Sequence, residues 1–137
     1  MTGCCAAGRS ARSWCASVAE PVKLVTLLKR RPGMTMAQFI ARYETVHARL
    51  GERVLAGFAT RYVRRYLVPL AGDADAVARP HDVVMEIWFP DRDALDRCMA
   101  YLTSPDVAAE IAADEETVFD RAATLTAIVE EHESAFG

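Results

Sequence analysis

The chain has 137 residues, 52% hydrophobic and 26% charged, the balance of one globular domain rather than of a disordered or fibrous chain. Its formal net charge of −3 argues against nucleic acid or an anionic membrane as partner. No apolar run approaches the ~20 residues of a membrane span; a small soluble enzyme, a small-molecule binder or an assembly module remains.

Residues 1–20 read MTGCCAAGRSARSWCASVAE. They show neither helical nor strand period and lack the apolar stretch of a signal peptide. The segment reads as a mobile extension, with Trp14 as the side chain that would dock on the body. Three of the four cysteines, Cys4, Cys5 and Cys15, lie here, and Cys98 alone lies in the body. That usage fits no disulfide framework and no metal spacing, and it points to a reducing, cytoplasmic compartment.

Residues 21–132 read as one domain. VKLVTLLK, Val22 to Lys29, is β-branched and apolar on alternating sides. Val22, Leu24, Thr26 and Leu28 share one face; Lys23, Val25, Leu27 and Lys29 share the other. Arg31-Pro32-Gly33 breaks the strand. Thr35 and Gln38 then form a capping box that starts a helix running to Gly57. At ~100° per residue, Phe39, Tyr43, Val46, His47, Leu50 and Val54 fall on one apolar stripe, with Arg42, Arg49 and Arg53 on its flank. Gly51 weakens this helix.

Ala59 to Leu70, ATRYVRRYLVPL, reads as a second strand with Tyr62, Arg64, Tyr66 and Val68 on one face. Residues 71–81 form a polar loop. Asp82 to Phe89 reads as a third strand, with Val84, Glu86 and Trp88 on one face and Val83, Met85, Ile87 and Phe89 on the other. Asp91 caps a helix over Arg92–Leu102, with Leu95, Cys98, Met99 and Leu102 at helical spacing. Ser104-Pro105, a cap followed by a first-turn proline, starts another helix towards Glu115. A last strand covers about Ala122 to Glu130, and residues 133–137 read as a frayed tail.

The order β-α-β-β-α-β predicts the α+β, ferredoxin-like architecture: an antiparallel four-stranded sheet with helices on one face. Both faces of these strands carry apolar side chains. An uncovered apolar face costs roughly 25 cal/mol per Å², so two such faces are expected to pair in a two-fold homodimer.

His47 is the leading chemical candidate, since an imidazole exchanges protons near neutral pH. The alternative is a core histidine bonded to a backbone carbonyl. Tyr43, one turn earlier, either orients a ligand oxygen or fills the core, and Phe39 reads as core beside it. Tyr62, Arg64 and Tyr66 form a polar aromatic stripe able to hold an enolate oxygen; otherwise the arginines are solvated or reach a dimer mate. Glu86, flanked by Val84 and Trp88, must be paired or protonated on an apolar face. It serves as a base or pairs with a strand arginine such as Arg64. Asp114, Glu115, Glu116 and Asp120 read as solvated charge, with an arginine partner as the next use. His81 and His132 read as surface. No phosphate-binding glycine motif, nucleophile elbow or metal-ligand spacing is present, so no cofactor and no metal is expected.

VKLVTLLKRRPGMTMAQFIARYETVHARL resembles the opening of EthD-family domains: a strand, an Arg-Pro-Gly-Met-Thr turn, a Phe-x-x-x-Tyr helix, then His, a small residue and a nearby Leu. EIWFPDRDAL and DEETVFDRAA continue the pattern, so the resemblance covers about Val22 to His132. It implies a dimeric α+β barrel. The family's helix histidine maps onto His47, and its helix Phe and Tyr onto Phe39 and Tyr43. Arg49 stands where the family has Pro in a His-Ala-Pro-Leu type run. The resemblance implies dehydratase, cyclase or isomerase chemistry on a hydrophobic, oxygenated, polyketide-like or aromatic substrate. His47 and Glu86 would be catalytic, and Phe39, Tyr43, Tyr62, Arg64, Tyr66 and Trp88 would line the substrate. The alternatives are an auxiliary binding protein for an oxidoreductase pathway and a cofactor-free monooxygenase.

Overall fold

A computed structural model describes residues 20–137. The expected extension lies outside the described residues except for Glu20, and so do Trp14, Cys4, Cys5 and Cys15. The elements are β1 (Val22–Leu28), α1 (Met36–Arg42), a π-helical turn (Tyr43–His47), α2 (Ala48–Leu55), β2 (Arg61–Tyr66), β3 (Val83–Phe89), α3 (Arg92–Leu102), α4 (Pro105–Val118) and β4 (Leu125–Ile128). The strands form one sheet in the order β2-β3-β1-β4. Every neighbouring pair is antiparallel. This is the ferredoxin-like arrangement expected from the element order.

Register decides which side chains meet. Leu24 opposes Ile87, Thr26 opposes Met85 and Leu28 opposes Val83. Tyr62 opposes Ile87 and Tyr66 opposes Val83. Thr126 opposes Thr26. Because side chains alternate along a strand, all of these lie on one face. The buried strand residues Thr26, Leu28, Val83, Ile87 and Phe89 all belong to it. Helix residues Phe39, Tyr43, Leu50, Val54, Leu95, Cys98 and Val118 complete the core against this face. The opposite face carries Lys23, Val25, Leu27, Val63, Val84, Glu86 and Trp88, none of them buried in the single chain.

The Thr35 capping box forms: Gln38 N–H donates to Thr35 Oγ1 and Thr35 N–H to Gln38 Oε1. The helix that follows is not uniform. At Tyr43–His47 it widens by one residue, and Ala48 N–H donates to the Tyr43 carbonyl five residues back. A wide turn resets the helical phase. Ala48 therefore inherits the buried side of Tyr43, the two being 1% and 0% exposed, while Val46 is turned out at 37%. A uniform ~100° step puts Val46 within the apolar stripe, next to Phe39. Gly57, with φ at +85°, supplies the left-handed residue that follows the helix.

Other boundaries also move. β2 stops at Tyr66 rather than Leu70, because Pro69 removes a donor and Val68 and Leu70 stand free in solvent. β4 is confined to Leu125–Ile128, since a 3₁₀ turn occupies Arg121–Ala123. Helix α4 runs on to Val118. Ser104 precedes it, but its hydroxyl donates back to the Tyr101 carbonyl instead of capping. Met99 faces outward more than its spacing suggested, at 40% exposure. His81 is half-buried, with Nε2 2.9 Å from the Ala123 carbonyl. No described helix is long and apolar enough to cross a membrane.

Candidate active site

The helices leave a cavity of about 360 Å³ above the helix-covered face of the sheet. Its walls are mainly apolar, from Leu24, Leu28, Ile87, Leu102, Ile111 and Phe119. A smaller cavity of about 160 Å³ adjoins it and reaches Gly51 and Tyr62. His47 lines both.

His47 closes the π-helical turn. Its ring is fixed from three sides. The ring centroids of Tyr43 and Phe119 lie 5.2 and 4.9 Å away, both edge-on. Asp114 Oδ2, from α4, lies 2.7 Å from Nδ1. The His47 and Asp114 side chains are only 13% and 12% exposed, so water screens their contact little. Asp114 in turn accepts a 2.9 Å bond from Arg42 Nη2, which also donates to Thr117 Oγ1 at 3.0 Å. An ionised carboxylate only accepts hydrogen bonds. Nδ1 must therefore carry the proton, and Nε2 is the ring nitrogen left uncommitted. It has no hydrogen-bond partner among the described residues. A carboxylate that fixes the tautomer and steadies an imidazolium is the arrangement general acid/base histidines require.

Of the residues picked out from sequence, the structure gathers His47, Tyr43 and Tyr62. Tyr43 is fully buried, with its hydroxyl 3.4 Å from that of Tyr62. Burial, reinforced by the neighbouring Tyr62, pushes the Tyr43 phenol far above its ordinary range. Burial also raises Tyr62. Both are thus neutral donors rather than phenolates at neutral pH. Tyr62 owes its position to Gly51, where an added Cβ would stand 2.8 Å from the tyrosine ring. Phe39 lies wholly in the core and lines neither cavity.

Arg64 and Tyr66 point to the helices but converge on Glu44, not on the cavity. Arg64 Nη2 donates to Glu44 Oε2 at 2.6 Å and Tyr66 Oη to Glu44 Oε1 at 2.6 Å. Those bonds, the one from Arg64 foremost, hold the Glu44 carboxyl below its usual range despite some burial.

Glu86 and Trp88 lie on the opposite face, away from His47. Both Glu86 oxygens are engaged there, Oε2 by Arg65 and Oε1 by Trp88 Nε1 at 2.7 Å. Partial burial pushes its carboxyl up, but the bonds from Arg65 and Trp88 outweigh this and lower it. Arg64, the partner suggested from sequence, is on the wrong face. Lys23 Nζ lies 4.0 Å over the Trp88 ring, and the Arg61 guanidinium lies 4.6 Å from it. Sequence reasoning missed Asp114 as the partner of His47, and Glu115, Phe119, Arg121, Thr26 and Thr126 as cavity lining. Only the run Asp114–Asp120 gave any signal, and it read as solvated. Among the described residues no three His, Cys, Asp or Glu side chains converge as a metal site.

A family model described as the EthD domain matches residues 31–122. The chain belongs to the EthD family. Solved structures agree on the fold. An EthD family protein from Bacillus halodurans is 18% identical over 82% of this chain and 100% of its own, with a TM-score of 0.57. A dimeric ferredoxin-like protein of unknown function from Thermobifida fusca is 14% identical over 81% and 91%, with a TM-score of 0.54. SnoaB, a cofactor-independent oxygenase from Streptomyces nogalater, is 16% identical over 85% and 97%, with a TM-score of 0.51. No curated protein matches the chain. The EthD domain thus spans the π-helical turn, His47, Asp114 and most of the cavity wall.

Proposed function

We propose that this EthD protein is a cofactor-free enzyme that moves protons on a hydrophobic, oxygenated substrate, in the manner of a dehydratase, cyclase or isomerase. One observation carries the reading: an imidazole held by Asp114 at Nδ1, with no partner at Nε2 among the described residues, lines an apolar cavity. His47 takes or gives the proton at Nε2, and Asp114 steadies the imidazolium that forms. Tyr62, a neutral phenol at the edge of the smaller cavity, donates a hydrogen bond to a substrate oxygen, and Tyr43 holds Tyr62. The protein works as a homodimer, with Val25, Leu27, Val63, Val84 and Trp88 meeting their copies. The semi-exposed apolar face supports this, as does the fold it shares with the dimeric Thermobifida protein.

A bicyclic ketone, 2-tetralone, tests the chemistry: enzyme-driven exchange of its α-protons in D2O is followed by NMR. Wild-type protein is expected to accelerate exchange, and His47→Ala to lose on the order of 10²–10⁴-fold of it. Undiminished exchange in His47→Ala would sink the proposal. Binding that survives His47→Phe, with no exchange by either protein, would instead mark a carrier. The likeness to SnoaB supports one further reading, a cofactor-free oxygenase. Oxygen uptake with an anthrone, measured at an electrode, separates it from pure proton transfer.

A further inference from the structure

The two cavities share His47, Met85, Ile87, Leu102, Ile111 and Glu115. Residues that line both lobes stand at the partition between them. Among these shared residues only His47 and Glu115 exchange protons, and Glu115 is the one carboxylate lining either lobe among the described residues. The chain delivers it there by helical geometry. Asp114 and Glu115 are consecutive in α4, about 100° apart around the helix axis. The first carboxylate meets His47 Nδ1, and the second borders the space beside the ring. Glu115 Oε2 accepts a long bond from Arg121 Nε at 3.4 Å. Glu115 Oε1 has no partner among the described residues. One carboxylate oxygen is thus steadied and the other is free.

We propose that Glu115 is a second catalytic residue, forming with His47 a proton-transfer pair for enolisable ring ketones. The proposal rests on the cavity reading above and adds the partner that reading lacks. A base aided only by the Tyr62 hydrogen bond still leaves a full enolate charge, which an apolar cavity stabilises poorly. Two groups sharing one proton avoid that charge. The Glu115 carboxylate takes the proton from the carbon next to the carbonyl, and the electrons of the broken C–H bond become the C=C bond. The carbonyl π electrons take the proton from protonated His47 Nε2. The products are a neutral enol, a neutral carboxylic acid and a neutral imidazole, so charge and protons balance. Return of the Glu115 proton to the same carbon gives exchange, and to another carbon gives isomerisation. The reacting carbon lies at the partition, with ring systems extending into the two lobes, so the ligand class is a ketone with at least two fused rings.

The same 2-tetralone exchange tests this separately from His47. Glu115→Gln is expected to lower the maximal exchange rate at least ~10-fold with KM changed less than ~3-fold, and Glu115→Asp to recover part of the rate. Glu115→Ala serves if Glu115→Gln does not fold. Exchange at the wild-type rate in either neutral variant overturns the role of Glu115 and leaves His47 standing. No acceleration by wild-type protein overturns both.

Discussion

The two faces of the sheet carry comparable polar groups in opposite states. On the open face Glu86 is closed off by Arg65 and Trp88, and Trp88 lies under Lys23 and Arg61. On the helix-covered face the imidazole of His47 is held at one nitrogen and left free at the other. A carboxylate with both oxygens engaged stabilises a surface; a half-satisfied imidazole beside an apolar cavity can meet a substrate. The same strand, β3, supplies both environments, since Glu86 and Ile87 are neighbours with opposite directions. Position relative to the helices, not residue type, separates a carboxylate closed off by its neighbours from an imidazole left open at one nitrogen.

The sharpest way to break this comparison is to disarm each side in turn. His47→Ala should abolish most of the exchange activity, as above, whereas Glu86→Gln should leave it within about twofold. Next in size is assembly. Leu27→Asp puts a charge on the open face, where burying it in a dimer costs several kcal/mol, so association should weaken at least ~100-fold. Light scattering would show monomers, and a dimer of unchanged affinity would reject the assigned interface.

A smaller effect sharpens the cavity side. Gly→Ala in a helix ordinarily gains up to ~1 kcal/mol. At Gly51 the new methyl meets the Tyr62 ring at 2.8 Å. Gly51→Ala is therefore expected to destabilise by about 1–3 kcal/mol, the usual cost of overpacking, read as a lower thermal midpoint. A raised midpoint would mean that Tyr62 moves aside freely. The smallest effect concerns pH. Hydrogen bonds from Arg64 and Tyr66 hold Glu44 below its ordinary value of 4.5. A lowered carboxyl contributes stability above 4.5 that is lost as pH falls through the lowered value. The midpoint difference between wild type and Glu44→Gln should thus be present at neutral pH and shrink below about pH 4. A difference that grows in acid would contradict the pairing.

Much of the fold was written in local pattern. Alternation along Val22–Leu28 and Val83–Phe89, and the Thr35–Gln38 box, each act within a few residues and needed no tertiary context. The site was legible only as far as His47 and its aromatic neighbours. The π-helical turn has no periodic signature, because one extra residue breaks the very period by which helices are read. Its consequence was the misplacement of Val46. Asp114 lies 67 residues from His47, and their contact exists only because α4 packs on the turn. Glu86 looked reactive because a strand shows which residues share a face without showing which face the helices cover. Gly51 read as a weakness, and the ring it accommodates lies on another element.

The most direct test is a nitrogen NMR spectrum of protein carrying ¹⁵N-histidine, recorded at pH 8 with and without 2-tetralone. The expected spectrum shows His47 protonated at Nδ1, with the Nε2 resonance moving as ketone is added and Nδ1 staying fixed against Asp114. An Nδ1 without its proton, or an Nε2 resonance that ignores the ketone, would contradict that assignment.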